Sequence, residues 1–343
     1  MGPRKTDKLV VVSTPANTEI MIQAGQAANR AAAGHVFEDY RARKADNTIR
    51  RHDNDLARFA EFLAAAGIPG GDLAGDPEAW RGVTWGIVEA FRNWMIDQGD
   101  AINSVNARLS TVKAYAKLAA KAGAISDQEH ALIRTVSGYS QKEGKRIDER
   151  RDQSRRGAKK AAAVRITDQD AARLKEQPDT PQGRRDALLM CLLLDHGLRA
   201  GEAAALTVGD LDLKAGTMDL YRAKVDLQQR HKLTADTLRA ATAYFSAGDA
   251  PLPADAPLLR ASVKSGELTA AGMTERSITR RVAVLGEQIG IDGLSAHDCR
   301  HYWATYWAGK TDPFRLKQAG GWSSMATVDR YVEASQIAND GMA

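Results

Sequence analysis

The 343-residue chain is about twice the usual length of a single domain, so two domains are expected. Its composition, 43% hydrophobic and 27% charged, excludes collagen-like, disulfide-framework and wholly disordered classes. The 48 Lys and Arg against 43 Asp and Glu leave a net charge of +5, a mild basic excess that is compatible with a nucleic-acid partner without identifying one.

Residues 1–36 are rich in Ala, Thr, Lys and Gln and predict a flexible N-terminal arm with one short helix near Glu19–Ala33. Helical spacing then dominates residues 37–141. A helix over Asn47–Ala66 buries Leu56, Phe59 and Leu63 and stops at the breaker run Gly67-Ile68-Pro69-Gly70-Gly71. Another over Thr84–Gln98 carries Ile87, Phe91 and Trp94, and a further one places Ile102, Val105, Leu109, Val112 and Ala116 along a single face. Together they predict an all-helical bundle. Residues 142–165 hold 10 basic and 4 acidic side chains and scarcely an apolar one, which reads as a basic interdomain linker. The remainder, 166–343, is mostly helical, except that Gly216–Thr234 has the pattern of a β-hairpin. By segment the net charge is +2, −1, +6 and −2, so the linker alone exceeds the excess of the whole chain.

Cys191 and Cys299 lie far apart and neither has a CxxC partner, so neither a disulfide framework nor a structural zinc site is expected. The early apolar run Leu9–Val12 is too short for a signal segment and no stretch has the length of a membrane span. A cytoplasmic, nucleoid-associated protein is the expectation.

Four segments of the second domain carry chemistry. Gly197-Leu198-Arg199-Ala200-Gly201-Glu202 puts an arginine at a helix start, with Glu202 three residues on; by itself this is also what a surface ion pair looks like. His297-Asp298-Cys299-Arg300-His301 clusters cations suited to a phosphate; as a metal site it fails, because positions i and i+2 diverge on a helix and no fourth ligand is apparent. Gly320-Gly321-Trp322 turns an indole toward a site or into a core. Tyr331 sits on an amphipathic helix with Val328 and Val332, where a tyrosine is ordinarily packing.

Taken in this order the four segments resemble the tyrosine recombinase, or phage integrase, family. Gly197–Glu202 resembles its box I, His297–His301 its H-x-x-R-H box II, and Gly321-Trp322 followed nine residues later by Tyr331 its third box. Trp322 stands where histidine is commoner, and Cys299 where leucine is. The family's lysine lies on a hairpin between boxes I and II; Lys224 matches it best, with Lys232 as the rival and Arg230 downstream.

The resemblance implies a mainly α fold with a small β-hairpin or sheet, built as a two-lobed DNA clamp: a helical core-binding domain and a C-terminal catalytic domain. It implies a site-specific recombinase that needs neither metal nor ATP. Arg199 and Arg300 would neutralise the pentacoordinate phosphate, and His297 and the Trp322 N–H would add donors. Tyr331 would attack phosphorus, and Lys224 would protonate the departing 5′-oxygen. Glu202 and His301 would hold these groups from behind. Arg50, Arg51, Asn106, Arg108 and Lys113 are the expected DNA contacts of the first lobe. Lys145, Arg146, Arg150, Arg151, Arg155, Arg156, Lys159 and Lys160 would follow the phosphate backbone from the linker. The partners implied are a double-stranded target site and further copies of the chain, four on two duplexes, with the tail after Val332 docking on a neighbour. A nicking-closing enzyme and a DNA-binding regulator that no longer cuts are the alternatives.

Overall fold

The computed structural model describes residues 15–150, 164–251 and 253–335; among these, helices dominate and the small antiparallel sheets fall in the second half of the chain. Two compact units divide at residues 159 and 160.

The first unit comprises α1 (Pro15–Gly34), α2 (Val36–Ala42), α3 (Asp46–Ala65), α4 (Trp85–Asp97), α5 (Ile102–Lys121), α6 (Asp127–Thr135) and α7 (Gln141–Arg150). Its core is aromatic: Phe59 meets Phe91 edge-on at 4.9 Å and stacks on Trp80 at 5.8 Å, and the Trp80 indole donates to the Leu73 carbonyl. These contacts bury the faces of α3, α4 and α5 that the spacing of apolar residues predicts. Thr84 caps α4 and Ser126 caps α6 through their side-chain oxygens, so the breaks between helices are chemically specified. Most residues of α1 are exposed, and this helix is longer than the short one expected in the arm.

Residues 142–150, which composition assigns to the linker, are helical. Glu143 accepts from the Ser140 backbone N–H and hydroxyl while Ser140 Oγ accepts from Glu143 N, a reciprocal cap that charge counting overlooks. Gly144 is buried against Ile102; a Cβ there would fall 2.9 Å from Ile102 Cγ2, so this turn of α7 packs on the start of α5. Residues 151–163 of the basic stretch, with Arg151, Arg155, Arg156, Lys159 and Lys160, lie outside the described residues, as does the tail from 336 onward.

The second unit comprises α8 (Asp168–Lys175), α9 (Pro181–Asp195), α10 (Ala200–Ala205), β1 (Leu211–Asp212), β2 (Thr217–Arg222), β3 (Leu227–Lys232), α11 (Ala235–Ser246), β4 (Arg260–Ser262), β5 (Leu268–Gly272), α12 (Glu275–Gln288), α13 (Ala296–Ala308), α14 (Pro313–Gly320) and α15 (Met325–Ser335). The residues from Leu188 to Leu194 are all buried, so α9 is the central post, with α8, α11 and α13 packed around it. Each such leucine contributes roughly 1.5–3 kcal/mol through burial. The sheet β1-β2-β3 is antiparallel, Thr217 opposite Lys232 and Arg222 opposite Leu227, which leaves residues 223–226 as the turn. Strands β4 and β5 form a second antiparallel pair. Cys191 and Cys299 are both buried in this unit. Among the described residues no helix is long and apolar enough to cross a membrane.

One buried histidine makes this unit sensitive to acid. His196 is 4% exposed, its Nε2 is 3.0 Å from the Thr237 hydroxyl, and burial, with His231 nearby, pulls it down from 6.5 to about 3. The folded state therefore takes up no proton where the unfolded state does, and stability falls as pH drops below 6.5. Going from pH 7 to pH 5 should cost the unit about 2 kcal/mol from this residue alone. Denaturant unfolding at the two pH values checks this, and His196→Gln should remove that part of the difference.

Candidate active site

The four sequence segments are brought together by three tight turns around α10, α13 and α15. Arg199 is the residue before α10, and its backbone N–H donates to Glu202 Oε2 at 2.8 Å while its guanidinium pairs with Glu202 Oε1. The preceding Gly197 has φ 62°, and a Cβ there would lie 2.4 Å from the Trp303 ring, so only glycine permits this turn. α13 begins with a cap in which Asp298 Oδ2 accepts from Ser295 N and Oγ; Asp298 Oδ1 also accepts from Val164 N at 3.0 Å. That start fixes His297 and His301 on one face, their rings edge-to-face at 4.6 Å. Cys299 points elsewhere, into the core. α14 ends at Gly321, φ 58°, where a side chain would collide with Arg222 Cδ.

Arg300 is the keystone. It is 2% exposed; Nη1 donates to the Gly197 carbonyl and Nη2 to the Gly320 carbonyl, so one guanidinium joins the box I turn to the box III turn. Trp322 covers it at 4.9 Å and stacks on Tyr331 at 5.4 Å with an interplanar angle of 26°. The Tyr331 ring also lies 5.2 Å from His301. Trp322 thus packs on both a cation and a phenol.

The charges press on one another. Burial, together with Arg199 and Arg222, lowers Arg300 from 12.5 to about 9, still protonated at neutral pH. Burial lowers His297, with Arg300 adding to it, and burial lowers His301, with His297 adding to it, so both imidazoles are neutral at pH 7. Burial raises Tyr331, and Arg300, Arg330 and Arg199 oppose that rise without cancelling it. Glu202 is pushed up by burial, but Arg222 and Arg199 outweigh this and hold its carboxyl below the usual range. An incoming anion would relieve the crowding of guanidiniums.

These groups surround an open cavity of about 540 Å³ whose lining includes Arg199, Lys224, His297, Arg300, Trp322 and Tyr331. Lys224, in the turn between β2 and β3, is exposed and lines it. Lys232 instead lines a different cleft with Arg315 and Gln318, and Arg230 pairs with Asp219. Glu202 and His301 stand where the sequence suggests, beneath Arg199 and beside His297. Two further arginines at the site are absent from the sequence reading. Arg330, next to Tyr331, also lines the cavity. Arg222 is wholly buried and bonds Glu202; the alternation of Met218, Leu220 and Arg222 on the inner face of β2 was the signal that could have found it.

Three of the DNA contacts expected in the first unit have bonding partners within that unit. Asn106 is occupied at both ends by Tyr139, Nδ2 donating to its carbonyl at 2.7 Å and Oδ1 accepting from its N–H at 2.8 Å. Arg108 is largely buried against Asp100, 2.9 Å away. Lys113 donates to the carbonyls of Arg134 and Val136, both at 2.8 Å, and so closes the end of α6. All three are half-buried. Arg50, which donates to Asn47 Oδ1, and Arg51 are exposed on α3, and Lys145, Arg146 and Arg150 lie on α7.

The model of the phage integrase family matches residues 164–336, just over half of the chain. Tyrosine recombinase XerC of Methylobacterium nodulans is 26% identical over 322 residues, 92% of this chain and 91% of that protein. Among solved structures, the Tn1549 transposon integrase in complex with transposon right end DNA aligns over 90% of this chain and 96% of its own, with a TM-score of 0.61 at 15% identity. A lambda integrase dimer bound to a COC′ core site aligns over 86% and 92%, with a TM-score of 0.60 at 14% identity, so the likeness to both is one of fold. The chain belongs to the phage integrase family.

Proposed function

We propose that this chain is a tyrosine site-specific recombinase that cuts and rejoins DNA through a covalent 3′-phosphotyrosine on Tyr331. The observation that carries the reading is the cavity lining: Arg199, Lys224, Arg300 and Arg330 border it together with both imidazoles and Tyr331, and among the described residues no Asp or Glu does. Such a site suits a phosphodiester, which gains negative charge on its non-bridging oxygens as it becomes pentacoordinate.

Arg199 and Arg300 would each donate to those oxygens, with His297 as a further donor. Tyr331 Oη attacks phosphorus and the P–O5′ bond breaks, leaving the 3′-phosphate on tyrosine. The phenolic proton passes to the neutral His297–His301 pair, and Lys224 Nζ delivers a proton to the departing O5′. Attack by the 5′-hydroxyl of a partner strand reverses these steps. Because one phosphoester replaces another, religation draws on no nucleotide.

The two structural neighbours named above were solved with DNA, one of them as a dimer, which supports duplex DNA as substrate and self-assembly as its context. Exchange of strands between two sites calls for four copies on two duplexes. A plasmid carrying two copies of the target site tests the reading: exchanged circles are expected, whereas relaxed circles alone would identify a nicking-closing enzyme.

The basic stretch would contact phosphates without reading sequence. Replacing Arg150, Arg151, Arg155 and Arg156 by glutamine should weaken binding to target and non-target duplexes alike. The slope of log K against log salt should flatten by roughly 0.9 for each phosphate no longer neutralised. A titration over salt concentration checks this, and an unchanged slope would return the stretch to a solvated connector.

A further inference from the structure

Arg222 sits at the inner end of β2, two residues ahead of Lys224, and is 0% exposed. Its guanidinium bonds three separate parts of the unit. Nη1 donates to Glu202 Oε2 at 2.7 Å, Nε to Gln229 Oε1 at 2.6 Å on the opposite strand, and Nη2 to the Ala319 carbonyl at the end of α14. Gln229 continues the tie, donating through Nε2 to the Gln318 carbonyl. Gly321 is bare where Arg222 passes: a Cβ would lie 2.2 Å from Arg222 Cδ. A buried guanidinium is costly to desolvate, and an apolar side chain would serve packing at least as well on the inner face of a strand. What an apolar residue cannot do is anchor the hairpin by direction-specific bonds to both Glu202, which orients Arg199, and the segment before Trp322.

We propose that Arg222 is a positioning residue for the leaving-group acid: it locks the β2–β3 turn to boxes I and III so that Lys224 stands at the departing O5′. The turn itself is exposed, with Asp226 at φ 48° and the Tyr221 hydroxyl donating to Asp226 Oδ1, and it touches the cavity through Lys224 and Val225. The β2–β3 ladder sets its shape, while Arg222 and Gln229 set where that shape lies against α10 and α14. The inference rests on Lys224 acting as the acid.

The test replaces the bridging O5′ of the scissile phosphate by sulfur. A thiolate leaves without protonation, the thiol pKa being about 8.5, so a defect in acid delivery disappears on this substrate and a defect in phosphate activation does not. Single-turnover cleavage is measured on both substrates for wild type, Lys224→Ala, Arg222→Met, the double variant and Gln229→Leu, together with melting and binding of uncleavable DNA. On the oxygen substrate Arg222→Met is expected to be slowed on the order of 10²-fold, the low end of what an acid supplies. On the sulfur substrate it should approach wild type, and the double variant should be no slower than Lys224→Ala. Gln229→Leu, which leaves Glu202 its partner, should show the same pattern more weakly and decides the matter if Arg222→Met does not fold. Equal slowing on oxygen and sulfur in both Arg222→Met and Gln229→Leu, or no slowing on either substrate, overturns the proposal. If Lys224→Ala itself is not rescued by sulfur, the assignment of Lys224 falls and takes the proposal with it.

Discussion

Arg300→Lys is expected to slow DNA cleavage about 10²- to 10³-fold while leaving affinity for the uncut duplex within a few-fold. Lysine keeps the charge but not the fork. In the native arrangement Nη1 and Nη2 reach the Gly197 and Gly320 carbonyls at once, which holds the two turns that present Arg199 and Trp322 and aims the remaining N–H groups at the cavity. An ammonium can satisfy those carbonyls or a phosphate oxygen, and it cannot hold both geometries. Affinity is spread over many phosphates along the duplex, so weakening the grip on the scissile phosphate alone moves it little. The melting temperature should also fall, because a single ammonium nitrogen cannot take the places of both Nη1 and Nη2 and leaves a buried carbonyl poorly paired. Cleavage near the wild-type rate would mean that Arg300 is structural alone.

Much of this architecture is legible from residue spacing, for reasons that differ by element. The faces of α3, α4 and α5 follow from 3.6-residue periodicity, and the hairpin follows from turn chemistry around a short alternating pattern. The site is legible because its parts are short and rigid: Gly197 and Gly321 occupy left-handed turns that exclude other residues, and Arg300 needs both turns as acceptors. The strands β4 and β5 left no comparable trace, being three and five residues long without clean alternation. Composition also says nothing about where a polar side chain's bonds go. Asn106, Arg108 and Lys113 have the residue types of a DNA-reading surface, and each also bonds a partner within the first unit. Arg222 shows the reverse, a charge hidden on the inner face of a strand. The helix α7 was obscured by its charge, since the Ser140–Glu143 cap and the bare Gly144 matter more there than the count of arginines.

Tyr331→Phe is expected to abolish covalent adduct formation altogether. Phenylalanine retains the ring that stacks on Trp322 and faces His301, so the fold, the cavity and DNA binding should survive; only the attacking oxygen is lost. The arginines would then still bind the phosphate, and a stable, uncut complex should accumulate. Residual hydrolysis of the strand without an adduct would show water replacing the phenol in a site whose electrostatics remain intact.

The role of Tyr331 is tested most directly by trapping on a nicked duplex bearing the native target, in which the strand beyond the scissile phosphate is short enough to diffuse away after cleavage. The wild-type chain should become linked to the 3′-phosphate, and digestion of the adduct should yield a single modified peptide carrying the DNA remnant on Tyr331. Tyr331→Phe should give no linked species under the same conditions. An adduct formed by Tyr331→Phe, or a remnant carried on any other residue, would contradict the account.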